Sequence, residues 1–256
     1  MPFLLLTRGD PIGLDLLKKL VDHRYGGSPP AMDSLRVTHE GWSKGRVGPL
    51  PLRASVRAVA TYRFPFQMKW EFEVTMLGFL RSRYTTTFDG EVVYEEQRAR
   101  VQRITDPAQV ESARARAWSE AVYYVSPLIA DHAIEVKALE GNAFRAIAPG
   151  FPDLAAVVRL AEDNTLQAVE IERVDPNDGL RKLQRIVPEG GLIRVDGMLM
   201  PARMQRLWGD DLFMSLSPVN VELNPALDDS EFRLEAQDLL AVLDEDDDSQ
   251  TGDSPA

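Results

Sequence analysis

The sequence predicts a mainly β chain of the α+β class: a long antiparallel meander with one N-terminal helix and one helical insertion midway. Three observations predict it. First, apolar and polar residues alternate strictly over nine positions, with Phe66, Met68, Trp70, Phe72 and Val74 on one face and Gln67, Lys69, Glu71 and Glu73 on the other. One dry face and one wet face belong to antiparallel sheet, since parallel strands are usually buried on both. Second, Asp-Gly occurs at 89–90 and again at 196–197, each time between β-prone runs. That dipeptide supplies the positive φ values of a tight hairpin. Third, the period changes from 2 to 3.6 at the start of the chain and once more in the middle.

The first helix lies in "GDPIGLDLLKKLVDHRYGG". Asp10 is the N-cap, Pro11 suits the first helical position, and Leu14, Leu17, Leu20 and Val21 follow helical spacing. Gly26-Gly27 supplies the left-handed stop. From Leu50 to Phe64 the even positions are apolar or aromatic, while Arg53, Ser55, Arg57, Thr61 and Arg63 stand at odd ones. The run "FLRSRYTTTF" that follows the nine-residue strand is rich in threonine and aromatics, which suit a pleated surface. In "TTTFDGEVVYEE", Asp89-Gly90 reads as the turn. Glu95 and Glu96 point to opposite faces, so at most one of them faces inward.

Residues 107–125 break the β pattern. Asp106 caps, Pro107 opens, and Val110, Ala113, Ala117, Trp118, Ala121 and Val122 form an apolar stripe. Pro127 ends or kinks this helix. Strand-like runs resume from "AIEVKAL" to "FMSLSPVNVEL", without internal repeat or domain linker. The sequence therefore predicts one domain over residues 1–236. An acidic tail, 237–256, is too polar to order itself.

Composition narrows the function. The 256 residues are 44% hydrophobic and 27% charged, enough for a core without staples. Absence of cysteine removes disulfides, thiol nucleophiles and thiolate metal sites. Of the net charge of −11, residues 1–243 carry −5, the rest being Asp244, Glu245, Asp246, Asp247, Asp248 and Asp253. An acidic chain is a poor binder of nucleic-acid phosphates. No run reaches the roughly 18 apolar residues of a membrane-spanning helix. "MPFLLL" is too short for a signal-peptide core. The chain is cytoplasmic as written, or periplasmic if an export signal is missing from it.

Catalytic and metal motifs are not found. His23, His39 and His132 share no ligand spacing, and structural or surface roles are expected of them. No Gly-x-Ser-x-Gly elbow, phosphate loop or dinucleotide fingerprint occurs. "DPNDG" at 175–179 is faintly like a calcium loop but lacks the later glutamate, and reads as a turn. No catalytic residue, metal or cofactor is predicted. The unusual feature is a dry face rich in aromatics and methionine: Phe66, Met68, Trp70, Phe72 and Val74, with Tyr84 and Phe88 on the next run. It is ordinary core, or a concave face enclosing an apolar ligand. Both hold if the segment Asp106–Asp131, carrying Trp118, packs over it as a lid.

Several phrases resemble the LolA-like fold of periplasmic lipoprotein carriers and related lipid-binding proteins. "LDLLKKLVDHRYGG" looks like that family's opening helix, and "YRFPFQMKWEFEV" like its paired strands. "TTTFDGEVVYEE" looks like its hairpin, "IRVDGMLMPARMQ" like its late strand, and "NVELNPALDDSEFRL" like its closing strand. The similarity spans roughly residues 10–235. It implies an incomplete antiparallel β-barrel whose inserted helices cover a hydrophobic cavity. It also implies non-catalytic binding of acyl chains, lipids or lipidated proteins in the bacterial cell envelope. The acidic tail is outside that pattern and offers a surface to a protein partner. Two alternatives stand beside the carrier: a structural or interaction module with a filled core, and an enzyme using an inward carboxylate such as Glu95 or Asp210.

Overall fold

The structure is a computed structural model that describes residues 7–47, 50–98, 100–128, 134–176 and 178–234. A short β1 (Arg8–Gly9) leads into α1 (Pro11–Tyr25). Six strands follow: β2 (Ser34–Val47), β3 (Leu50–Arg63), β4 (Gln67–Met76), β5 (Leu80–Phe88), β6 (Val93–Gln97) and β7 (Arg100–Ile104). Then comes α2 (Pro107–Tyr124), with a 3-10 turn at Ser126–Leu128. The second run of strands is β8 (Glu135–Leu139), β9 (Ala143–Ala148), β10 (Phe151–Leu160), β11 (Leu166–Val174), β12 (Arg181–Val195), β13 (Met198–Trp208) and β14 (Asp211–Leu223). The acidic tail lies outside the described residues, as do His132 and Asp131.

The strands of the described residues form one 14-stranded sheet in the order β1-β8-β9-β10-β11-β12-β13-β14-β2-β3-β4-β5-β6-β7. Each run is a meander of neighbours, and β14 joins them by pairing antiparallel with β2 from Leu223↔Leu35 to Met214↔Ser43. Among the described residues the edge strands β1 and β7 do not pair with each other, so the sheet curves without closing. The fold is the incomplete antiparallel barrel that the sequence leads one to expect. β7 presents exposed Arg100 and Arg103 at its edge, and like charges there discourage pairing with another chain.

Both helices have the expected ends. The Asp10 carboxylate accepts the Gly13 N–H at 2.7 Å, and Gly26 closes α1 at φ +64°. Asp106 accepts the Gln109 N–H at 3.0 Å. The Asp196-Gly197 turn has φ of +47° and +85° and joins Val195 directly to Met198. Two successive positive φ values define the hairpin turn that Asp-Gly favours. Asp89-Gly90 differs. It opens a longer connection in which the Asp89 carboxylate accepts the N–H groups of Glu91 and Val92 at 2.9 and 2.8 Å and faces Arg233 Nε at 3.1 Å. Asp89 is a turn residue, held by its own loop and a distant arginine.

The strand register places the dry face inside. Met68, Trp70 and Phe72 are buried, and row by row they meet Tyr62, Ala60 and Ala58 of β3. On the other side of β4 the Phe72 ring stacks on Tyr84 at 4.5 Å. Lys69 and Glu71 pair on the outer face at 3.1 Å. Phe66 departs from the expected strand row. It belongs to the turn before β4, and from there its ring reaches Trp118 at 6.2 Å and Phe151 at 5.2 Å.

α1 covers β8 and β9, while α2 crosses the concave face against β6, β10 and β11. Every residue of α2 from Ala117 to Tyr124 is buried, so this half lies inside the curve of the sheet. The Trp118 Nε1–H donates to Ala146 O at 3.0 Å. The end of α2 is held by α1: Arg24 Nη1 donates to Tyr123 O at 2.6 Å and Tyr25 OH to Tyr124 O at 2.8 Å. A cation at a helix C-terminus satisfies carbonyls that have no partner within the helix and complements its dipole.

His39 of β2 sits in this core, 1% exposed, its ring stacked on Trp70 at 5.9 Å. Burial, then the Arg206 guanidinium, push its pKa from 6.5 down to about 3. The folded protein holds the imidazole neutral, whereas the unfolded chain takes up a proton below about pH 6.5. Stability tied to His39 is therefore complete above that pH and falls as the pH drops towards 3, by about 1.4 kcal/mol per unit. His39→Phe keeps the stacked ring. It should remove about 2 kcal/mol of the stability loss between pH 7 and pH 5 in denaturant titrations; identical losses in both proteins would contradict a buried neutral histidine. The register has its own test. Trp70→Glu should cost about 4 kcal/mol or more, or prevent folding, because it removes a large, fully buried ring and leaves a cavity in the core. Lys69→Glu, losing only an outer ion pair, should cost less than about 1 kcal/mol. Equal costs would mean that the strand faces the other way.

Candidate functional site

α2 divides the concave side unequally. Its second half is wedged into the sheet, but its first half is flanked by two depressions. One, of about 680 Å³, lies towards β10 and β11 and contains Glu111, Arg114, Arg145, Phe151 and Glu170. Two of its acids are paired: Glu111 binds Arg181 at 3.0 Å, and Glu170 binds Arg159 at 2.8 Å. The other, of about 750 Å³, opens between β4–β6 on one side and β11–β14 on the other. This second cleft is the candidate site, because side chains from both meanders converge on it.

Its apolar lining comes from opposite walls. Met68, Phe72, Tyr84 and Val93 stand on one, and Trp208, Phe213 and Met214 on the other. Trp208 and Phe213 stack at 5.9 Å. Of the ligand-binding residues expected from sequence, Met68, Phe72 and Tyr84 line this cleft. Trp70, Phe88 and Trp118 are fully buried and not among its lining residues. Phe66 and Val74 are partly buried against the same core. Trp118, expected on the lid, thus anchors α2 to β9.

Arginines were missed at the sequence level, and the structure brings three of them here. Arg116 comes from α2, Arg173 from the end of β11 and Arg206 from β13. Arg206 pairs with Glu120 of α2, both buried. Arg173 Nε donates to Ser112 Oγ and its Nη1 to Gln184 Oε1, both at 3.2 Å, and the guanidinium lies 5.3 Å from the Trp208 ring. Arg116 and Arg206 both approach the Trp70 ring, at 4.9 and 5.0 Å. Burial, then repulsion from Arg116 and Arg206, push Arg173 down to about 9, so it stays charged at neutral pH. A signal was present: Val169, Ile171 and Arg173 occupy one face of a strand, as do Met204, Arg206 and Trp208. An arginine that continues an apolar row points inward.

The carboxylates separate by position. Glu95 faces Thr86 across the strands on the concave side and lines the cleft, exposed at its rim. Asp210 is in the turn after β13, fully exposed, and pairs with Arg185 at 2.6 Å. Among the described residues, no group of three or more histidines and acids is gathered in a way that could hold a metal ion. No helix among them is long and apolar enough to cross a membrane.

No family model matches the sequence, and no curated protein matches it significantly. Among solved structures, the chain is similar to a LolA superfamily protein from Nitrosomonas europaea. The identity is 11% and the TM-score 0.48, over 87% of this chain and 97% of that one. It is also similar to a DUF1329 family protein from Desulfovibrio piger, at 12% identity and a TM-score of 0.42, over 87% of this chain and 96% of that one. The first of these carries the family name that the phrasing of the sequence resembles.

Proposed function

We propose that the protein binds a hydrophobic ligand, an acyl chain of a lipid or lipidated protein, without catalysis. The observation that carries this reading is the open cleft of about 750 Å³ with aromatic and methionine side chains on both walls. Its volume falls within the range of small-molecule sites, and flexible methionine with flat rings suits chains of variable shape. Each methylene removed from water contributes about 0.8 kcal/mol, so part of a chain suffices for useful affinity. Met68, Phe72 and Tyr84 touch the ligand, while Trp70, Phe88 and Trp118 support the wall from behind. The setting proposed is the cell envelope, for a chain that is exported.

One observation favours a second reading, a structural or interaction module with a filled core: the second half of α2 occupies the concavity with Trp118, Tyr123 and Tyr124, each at most 1% exposed. Delipidated protein titrated with a neutral 16-carbon monoglyceride separates the two. A ligand in the cleft should change Trp208 fluorescence, and the change should be absent from Trp208→Phe. It should also slow amide exchange in residues 107–116 while leaving 117–124 unaltered. No change in either signal would make the filled-core module the better account.

A further inference from the structure

We propose that the cleft selects anionic amphiphiles, single apolar chains that end in a carboxylate or phosphate, with Arg116 and Arg173 holding the head group. The inference rests on the reading of the cleft as a site for an apolar chain. Three guanidinium groups line one cleft, and a single fully buried carboxylate, Glu120, answers them through Arg206. Among the described residues, neither Arg116 nor Arg173 forms an ion pair. Arg116 also donates no hydrogen bond there, although burial and the neighbouring Arg206 both disfavour its charge. Arg206 is 2% exposed, yet its Nε has no hydrogen-bond partner among the described residues. Unsatisfied guanidinium donors inside a protein are costly, and carboxylate or phosphate oxygens match their fork geometry.

Four other carboxylates border the cleft; of these Asp175 favours the charge on Arg173, and none forms an ion pair with Arg116 among the described residues. Asp106 caps α2, accepting the Gln109 N–H. Asp175 is held by Lys182 Nζ at 2.8 Å. Glu95 and Glu96 stand on β6 at the outer rim, Glu95 exposed. Arg206 and Arg173, at 2% and 9% exposed, lie below exposed Glu95 at the rim, with buried Asp175 at their level. Acids at the mouth and cations beneath disfavour a free anion entering alone. A chain that gains by burying methylenes overcomes that barrier.

The test uses the full chain, delipidated, and three 16-carbon probes: hexadecanoate, hexadecyl phosphate and the neutral monoglyceride. Trp208, beside Arg173, reports binding. Both anions should bind at least about tenfold more tightly than the neutral probe, the effect of a charge-assisted hydrogen bond. Arg116→Met, which removes no side-chain hydrogen bond among the described residues, should bring the three affinities within about threefold while binding of the neutral probe persists. Arg173→Gln should act in the same direction, with a thermal midpoint recorded to confirm folding. Equal affinities of all three probes for the unaltered protein would overturn the inference and leave the apolar cleft standing. No binding by any probe would overturn both. Inorganic phosphate alone giving the same signal at the same concentration as hexadecyl phosphate would also overturn it, since the site would then read the anion without the chain.

Discussion

The buried contact between Glu120 and Arg206 sets the terms for the rest of the structure. It joins the second half of α2 to β13, eighty-six residues later in the chain, at the centre of a concave sheet. Two charges taken out of water cost several kcal/mol each in desolvation, offset only when they meet. An α2 displaced from the sheet would leave both unanswered. The contact therefore fixes the helix against the sheet, and with it the α2 side chains that border the cleft.

From that anchor the concavity acquires two halves with different physics. Beyond Ala117 the helix touches the protein on all sides, and the carbonyls at its end are satisfied by Arg24 and Tyr25 of α1. Before Ala117 it is only partly covered, and apolar walls from two meanders face each other across open space. A flat sheet would offer only a single wall. The open curvature of fourteen strands permits both a seated helix and a cleft. Arg116, on the boundary between the two halves, meets the Trp70 ring from the cleft side of the same core that stacks His39.

Local signals made the elements legible. Asp10, Asp106 and Gly26 mark helix ends because their chemistry acts within one turn of the chain. The alternation through Met68, Trp70 and Phe72 named the inner face because side-chain direction in a strand depends only on parity. Phe66 kept the parity but lies in the turn after Phe64-Pro65, where parity no longer applies. The apolar stripe of α2 was visible, whereas burial of Ser119 and Glu120 was not. Only Arg206, far along the chain, makes a glutamate tolerable at that position. The same is true of the site. Met68, Phe72 and Tyr84 could be named from one hairpin, but the opposite wall of Trp208, Phe213 and Met214 faces them only because β14 pairs with β2.

The central claim is that Glu120 and Arg206 hold α2 inside the sheet, and a double-mutant cycle on unfolding free energy tests it most directly. Glu120→Gln and Arg206→Met should each cost about 3 kcal/mol or more, because each leaves a buried partner unanswered. The double variant should cost clearly less than the two combined, with a coupling of at least about 1.5 kcal/mol. Single changes that cost under about 0.5 kcal/mol and simply add would contradict the account, and α2 would have to be held by something other than this pair.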